Sequence, residues 1–217
     1  NPRIKGSLSA GAIKSQDWFQ PHVGAAYKLN DKAEIFGGFT QVTRAFVSSA
    51  TSGPFATTQA GFDALIARGL KPEGSDTFEL GARYNDNVFN GVIAVYSVNF
   101  RNRLLGVQTG AGIVGNPAIL QNVGNAKSVG FEAAGDVRLG GGMTLFASYS
   151  YTGATYEDNV ITPTATIAIK GKDVVDTPKH LLRGEVAYDS DTFFGRLGAN
   201  YMSKRYFTYL NDQSVPA

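Results

Sequence analysis

The 217-residue sequence predicts an all-β protein, an antiparallel up-and-down transmembrane β-barrel. The first observation behind this prediction is the long alternation of apolar and polar residues, which indicates strands with one apolar and one polar face. The second is that short turns and long loops join these stretches in alternation. The third is composition, since 26 Gly, 10 Tyr and 14 Phe suit tight turns and aromatic girdles.

Composition also excludes several classes of protein. The chain is 43% hydrophobic and 18% charged, with a formal net charge of +2 and a mean hydropathy of −0.12. Cysteine is absent, which excludes disulfides and thiolate metal sites. Lysines and arginines are scattered, so no nucleic acid is expected as a partner. No apolar run approaches the roughly 20 residues of a membrane helix, so any membrane crossing would be made by strands.

The clearest strand lies in the stretch Asn122–Leu139. From Val129 onward one face is apolar or small, and the other carries the charged side chains. This run is longer than the usual strand of about 5–6 residues. Three glycines follow, and a second alternating strand starts at Met143. A long strand, a tight turn and another long strand are typical of membrane barrels.

The remaining elements follow the same rule along the chain. Further strands are expected at residues 4–13, 18–29, 34–46, 77–84, 91–103, 143–152, 182–188 and 193–204. Short turns are expected at residues 30–31, 85–87, 140–142 and 189–191, and long loops at residues 47–69, 106–120 and 157–177. Within the first long loop, Phe62, Leu65 and Ile66 have helical spacing, which predicts a short helix.

The alternation assigns the two faces of the barrel wall. In bacterial barrels the short turns face the periplasm and the long loops face outward. An Arg or Lys in mid-membrane on the lipid side would cost about 2–4 kcal/mol, so the apolar face should contact lipid. We expect the lipid side to carry Phe78, Leu80, Tyr96 and Leu145. We expect the interior to carry Glu79, Arg83, Arg101, Arg103, Glu132, Arg138, Glu185 and Arg196.

Three ordered motifs make the chain resemble the TonB-dependent outer-membrane receptors. The first stretch, Leu70–Tyr84, contains Pro72-Glu73 and then Glu79-x-Gly81. The second, Gly91–Leu104, contains Tyr96 and ends in Arg101-Asn102-Arg103, and the third contains Asn122-x-Gly124 and Gly130-x-Glu132. Phe19-Gln20-Pro21 and Arg205-Tyr206 are also similar to the family pattern. The resemblance covers most of the chain from Phe19 onward.

The resemblance implies a barrel of about 22 strands that encloses a plug domain. It implies an energy-coupled receptor in the outer membrane of a Gram-negative cell, surrounded by lipid. The receptor would capture a scarce ligand, commonly a ferric siderophore, with a TonB-type inner-membrane complex as its partner. No cofactor is expected. The chain carries only about eight or nine strands and neither a plug nor a partner-binding box, so residues 1–217 are expected to form part of a barrel.

Candidate ligand contacts follow from the expected topology. Arginines near the outer rim could attract an anionic chelate, and tyrosines could stack on its rings. These candidates are Arg44, Arg101, Arg103, Tyr156, Arg205 and Tyr206. The stretch Gly110–Gly115 matches a dinucleotide fingerprint, but Asn116-Pro117 follows it where a helix would be required, so we interpret it as a loop. His22 and His180 lack ligand spacing, and no metal site is expected.

Three alternatives remain open from the sequence. A complete eight-stranded barrel with a structural or adhesin role would need its first and last strands to pair. A barrel enzyme would need His180 beside a Ser or Asp at the outer rim, but the favoured interpretation is that the protein is not an enzyme. A soluble β-sandwich would bury the apolar face in a dry core.

Overall fold

Fourteen strands form in the computed structural model, which describes residues 11–12, 14–44, 46, 63, 66–67, 69–108, 118–161 and 166–217. The strands are β1 (His22–Lys28), β2 (Ala33–Thr43), β3 (Gly74–Asn85), β4 (Phe89–Arg101), β5 (Leu104–Gln108), β6 (Ala118–Asn122), β7 (Ala126–Gly140), β8 (Met143–Tyr156), β9 (Val160–Ile161), β10 (Thr166–Ile167), β11 (His180–Asp189), β12 (Phe194–Met202), β13 (Arg205–Tyr206) and β14 (Ser214–Val215).

Eight of these strands form one antiparallel sheet in the order β1-β2-β3-β4-β7-β8-β11-β12. The other six pair locally as β5-β6, β9-β10 and β13-β14. Residues 29–32, 86–88, 141–142 and 190–193 make the short connections, and residues 44–73, 102–125 and 157–179 make the long ones. Eight of the nine expected strands and the up-and-down order are therefore confirmed. Of the expected strand at residues 4–13, the structure describes only residues 11–12, which are not in a strand, and the Gly110–Gly115 motif lies outside the described residues.

The short turns have clear local causes. Gly140, Gly141 and Gly142 all have φ between 61° and 84°, the left-handed region that glycine adopts without strain. In the β3–β4 turn, the Asp86 carboxylate accepts hydrogen bonds from the backbone N–H groups of Val88 and Phe89, both at 2.8 Å. These two bonds, followed by those from the Tyr84 hydroxyl and the Lys32 ammonium, hold the pKa of Asp86 well below its usual range.

The strand register fixes which residues share a face, because directly opposite residues in an antiparallel pair point the same way. Glu79 stands opposite Gly38 and Tyr96, and Tyr96 stands opposite Gly130. The face that contains them, here called the interior face, carries Glu34, Glu79, Arg83, Glu132, Asp136, Arg138, Arg183, Glu185 and Arg196. Most of the interior charges expected from the alternation are confirmed by this register.

The opposite face, here called the lipid face, is apolar over its central part. Phe78, Leu80 and Val95 are at least half exposed on it, so no second layer covers them in the described part of the chain. This exposure contradicts the sandwich alternative. Charged residues of the eight-stranded sheet lie on this face only at the outer strand ends, where Asp76, Arg101 and Lys127 are found. The middle of the lipid face of this sheet therefore carries no charged side chain, whose burial in lipid would be costly.

The expected faces of β4 were wrong. Alternation suggested that Tyr96 faces lipid and that Arg101 faces the interior, but the register places Tyr96 on the interior face and Arg101 on the lipid face. The physical reason is that β4 has apolar residues on both sides, with Ile93 and Val95 on one and Val92 and Val98 on the other. Alternation alone therefore could not decide the parity of this strand.

The apolar core lies at the outer end of the sheet, between the long connections. Tyr156 and Ile169 are fully buried in it. Its other members are Val123, Ala126, Ala154, Val160 and Val174. Residues 171–174 pair with the outer end of β8, with hydrogen bonds of 2.7 Å from Gly171 to Tyr156 and 2.9 Å from Val174 to Ala154. The outer connections are therefore packed together rather than separate.

Several features of these connections differ from the sequence expectation. The β5–β6 and β9–β10 hairpins fall in stretches expected to be irregular loops. In the predicted short helix, the residues that the structure describes, Asp63, Ile66 and Ala67, are helical. Among all described residues, no helix is long and apolar enough to cross a membrane.

The described sheet is open. Its edges are β1 and β12, and no hydrogen-bonded ladder joins them within the ranges given above. The alternative of a complete eight-stranded barrel requires that ladder, so the fold does not favour it.

Candidate functional site

Two glycines of the motifs on the interior face make room for aromatic rings. The Phe36 ring lies against Gly81, with its Cε1 atom 2.8 Å from where a Cβ would stand. The Tyr96 ring covers Gly130 so closely that a Cβ there would overlap it. From this position the Tyr96 hydroxyl hydrogen-bonds the Thr152 hydroxyl at 2.9 Å, two strands away. The glycines therefore keep these rings flat against the wall.

The two glutamates of the same motifs have a different environment. Glu79 and Glu132 are exposed on the interior face and line one cleft of about 700 Å³. Neither carboxylate makes an ion pair or a side-chain hydrogen bond within the described part of the chain. Other interior carboxylates are paired: Glu34 with Arg83 at 3.1 Å, and Glu185 with both Arg183 and Arg196, at 2.9 and 3.6 Å. Glu79 and Glu132 are thus available to a cationic group that enters the interior.

Asn122 joins three segments at the outer rim. Its side-chain amide donates to the carbonyl of Lys71 at 2.9 Å and to that of Asn102 at 2.7 Å. Its side-chain oxygen accepts the N–H of Lys71 at 2.9 Å. Two residues on, Gly124 has φ +93° and lies against the Asp158 side chain, which leaves no space for a Cβ. Asparagine and glycine at these positions therefore hold the start of β7 against its neighbours.

Glu73 is buried just below this point, with 7% of its surface exposed. Its carboxylate accepts the N–H of Leu104 at 2.9 Å and lies 3.7 Å from the Arg44 guanidinium. Leu104 packs against Phe46 and Leu70. Glu73 thus fixes the entry of β5 rather than presenting a charge to a ligand.

The structure places the predicted arginines at the outer rim, but most of them already have partners. Arg44 pairs with Glu73, Arg101 with Asp76 at 3.1 Å, and Arg205 with Asp176 at 2.8 Å. Arg103 differs, because no carboxylate lies within 4.0 Å of it among the described residues. Its guanidinium instead lies 5.1 Å from the centre of the Phe100 ring, which is on the interior face.

The predicted tyrosines also differ from one another. Tyr156 is 2% exposed and contacts the Tyr209 ring edge-on at 6.1 Å. A ligand therefore does not reach this ring, and its observed role is packing. Tyr206 is partly exposed and has the Lys204 ammonium 5.3 Å from its ring centre. Sequence reasoning missed Phe100 and Asp158, although the glycine at position 124 signals a close neighbour.

Neither histidine occupies a catalytic or metal-binding arrangement. The Nδ1 atom of His180 is 2.9 Å from the Tyr149 hydroxyl, and Ser203 bonds the backbone of His180 rather than its ring. His22 has its Nδ1 atom 2.7 Å from the Thr40 hydroxyl. Within the described ranges, no group of three or more His, Cys, Asp or Glu residues is placed to hold a metal. This geometry gives the enzyme alternative no support.

Comparison with known proteins gives a consistent result. The family model described as TonB dependent receptor-like, beta-barrel matches residues 3–217. An uncharacterized TonB-dependent receptor of Haemophilus influenzae is 30% identical over 161 residues, which is 70% of this chain and 44% of that protein.

Solved structures share the fold at low sequence identity. The siderophore receptor PiuA of Acinetobacter baumannii matches with a TM-score of 0.66 and 20% identity, over 91% of this chain and 28% of that one. The copper transporter OprC matches with a TM-score of 0.66 and 17% identity, over 86% of this chain and 26% of that one. The chain thus spans less than half the length of the relative and about a quarter of these structures.

Proposed function

Because the chain belongs to the TonB-dependent receptor β-barrel family, we propose that it forms part of the barrel wall of an energy-coupled receptor for a ferric siderophore. Members of this family are outer-membrane β-barrel proteins, which agrees with the apolar lipid face. The observation that carries the proposal is the interior face, where Glu79 and Glu132 lack partners within the described part of the chain while the lipid face is apolar over its centre.

The two free carboxylates support an interior filled by a plug. Enclosing Glu79 and Glu132 without counter-charges would be costly, because a desolvated charge requires a partner. A plug that presents cations to β3 and β7 would satisfy them. In the intact receptor, we expect the double variant Glu79→Gln and Glu132→Gln to weaken plug docking, measured as faster proteolysis of the plug. The matched control is Glu34→Gln, whose carboxylate already has Arg83. Equal proteolysis in both variants would contradict plug docking at this pair.

A metal chelate as ligand is supported by two structural neighbours, which are a siderophore receptor and a copper transporter. Many such chelates carry negative charge, and Arg103 has no carboxylate within 4.0 Å among the described residues. Arg205 and Tyr206 lie on β13 at the same end of the sheet and are secondary candidates. A TonB-type inner-membrane complex would supply the energy for transport.

The test of this ligand assignment uses the intact receptor and ferric citrate or a ferric catecholate. A hydrogen bond to a charged group contributes about 1.5–3 kcal/mol, so Arg103→Gln should weaken binding about 10–150-fold. The matched control is Arg196→Gln, an interior arginine near the short turns that already contacts Glu185. If Arg103→Gln binds both chelates with unchanged affinity, Arg103 is not a ligand contact.

A further inference from the structure

Arg103 lies over the interior face, as the sequence analysis expected, although Arg101 does not. Arg101, two residues earlier, lies on the lipid face, and strict alternation would place Arg103 there as well. The guanidinium of Arg103 nevertheless lies over Phe100, an interior residue. Something between Arg101 and Arg103 therefore breaks the alternation.

The break occurs at Asn102, which has φ +52°. A left-handed conformation in a residue other than glycine is uncommon, although asparagine tolerates it better than most. In the described ranges, only Asp176 and Asn211 share this feature among residues other than glycine. One left-handed residue at the end of a strand turns the following side chain to the other side of the sheet.

Two asparagines hold Asn102 in place. Its N–H donates to the side-chain oxygen of Asn125 at 3.1 Å, and its carbonyl accepts the side-chain amide of Asn122 at 2.7 Å. The backbone of Arg103 is held on both sides as well, by a 2.7 Å bond to the Gly124 carbonyl and a 2.8 Å bond from the Val123 N–H. The backbone N–H and carbonyl groups of both Asn102 and Arg103 thus have partners.

Strained backbone that its surroundings over-determine is concentrated at binding sites, where it pre-organises a side chain. We propose that Asn102, held by Asn122 and Asn125, is a positioning residue that turns Arg103 from the lipid face to the interior, where its guanidinium binds an anionic group of the ligand. This inference rests on the proposed receptor function, and it adds the device that supplies the anion-binding group.

The first test follows the direction of residue 103 without any ligand. Residues 1–217 contain no cysteine, so Arg103→Cys introduces the single thiol of this region. The intact receptor in phospholipid vesicles is treated either with a water-soluble maleimide or with a phospholipid that carries maleimide on its headgroup. The thiol should react mainly with the water-soluble reagent. Arg101→Cys, on the lipid face, serves as the control that reacts with the lipid-borne reagent.

The backbone of residue 102 is then changed in this labelling assay. Asn102→Gly retains access to positive φ and should leave the labelling of residue 103 unchanged. Asn102→Val disfavours positive φ and should raise reaction with the lipid-borne maleimide about tenfold. Unchanged labelling in Asn102→Val, or equal changes in the glycine and valine variants, would refute the positioning role.

The second test measures ferric citrate and ferric catecholate binding in a double-mutant cycle. Asn102→Val and Arg103→Gln should each weaken affinity about tenfold or more, and the double variant should be no weaker than Arg103→Gln alone, because both remove the same interaction. If the fold-losses of affinity of the two single variants multiply in the double variant, Asn102 acts independently of Arg103 and the inference is overturned. Unchanged binding in Arg103→Gln would instead refute the ligand contact, while the labelling result judges the turn by itself.

Discussion

The assignment of β4 is tested by placing an arginine on each of its faces. Val95 is the central residue of β4 and stands opposite Leu80 and Phe131 on the lipid face. Ala94, its neighbour, stands opposite Glu132 on the interior face. Val95→Arg and Ala94→Arg therefore introduce the same charge one residue apart, on opposite sides of the wall.

The expected difference between the two variants follows from their surroundings. An arginine on the lipid face at mid-membrane costs about 2–4 kcal/mol in free energy of unfolding. Since Val95 is equally far from both ends of β4, we expect Val95→Arg to show this full penalty. Ala94→Arg gains a cross-strand carboxylate in Glu132, and such opposite-charge pairs contribute about 0.2–1 kcal/mol. Its stability should therefore stay within about 1 kcal/mol of the wild type.

The assay is urea unfolding of the intact receptor in phospholipid vesicles, with Val95→Leu as the control for altered packing. Stability is compared through the midpoint at constant slope. A larger penalty for Ala94→Arg than for Val95→Arg would mean that Ala94 faces lipid. The register-based faces, and with them the interior position of Tyr96, would then be wrong.

Three further predictions concern the wall and its ends. Gly130→Val should displace the Tyr96 ring and lower stability by about 1–3 kcal/mol in the same urea assay, with Gly130→Ala intermediate. Asp86→Asn should lower the free energy of unfolding near neutral pH. Because the folded-state pKa of Asp86 is depressed, the stability that its carboxylate contributes is fully present above the unfolded-state pKa of about 4 and is lost as the pH falls through the folded-state pKa. Urea unfolding at a series of pH values should therefore show the stabilities of the two proteins converging in acid. Ile169→Ala removes a fully buried side chain and should reduce hydrogen-exchange protection at Val174 by about 30-fold or more, since the usual penalty is about 2–5 kcal/mol.

The strands and short turns were predictable from the sequence because their causes are local. The alternation from Val129 to Leu139 sets a two-sided strand, and three successive glycines adopt the positive φ of the turn that follows. The order of the sheet followed from connection lengths, since short turns join neighbouring antiparallel strands. Phe146, an aromatic residue on the interior face of β8, is explained instead by the neighbouring strand β11, because the Arg183 guanidinium lies 5.7 Å from its ring centre.

The outer end was less predictable because its structure depends on contacts between distant segments. The core around Tyr156 draws residues from two connections, 102–125 and 157–179, and from the outer ends of β7 and β8, and each of those connections looks polar and irregular by itself. The motif asparagine Asn122 could be recognised from its resemblance to a family, but its partners Lys71 and Asn102 lie 51 and 20 residues away. No local pattern specifies such a contact.

The same limitation explains why the rim arginines looked equivalent in the sequence. Arg101 and Arg205 are neutralised by aspartates 25 and 29 residues away, and these pairings exist only after the sheet has formed. Arg103 has no carboxylate within 4.0 Å among the described residues, and in the proposed arrangement the left-handed Asn102 turns it away from the side of the sheet where Asp76 lies. The backbone angle of one residue would therefore separate a structural ion pair from a cation that faces the interior and has no carboxylate partner in the described part of the chain, although both side chains belong to one Arg-Asn-Arg motif.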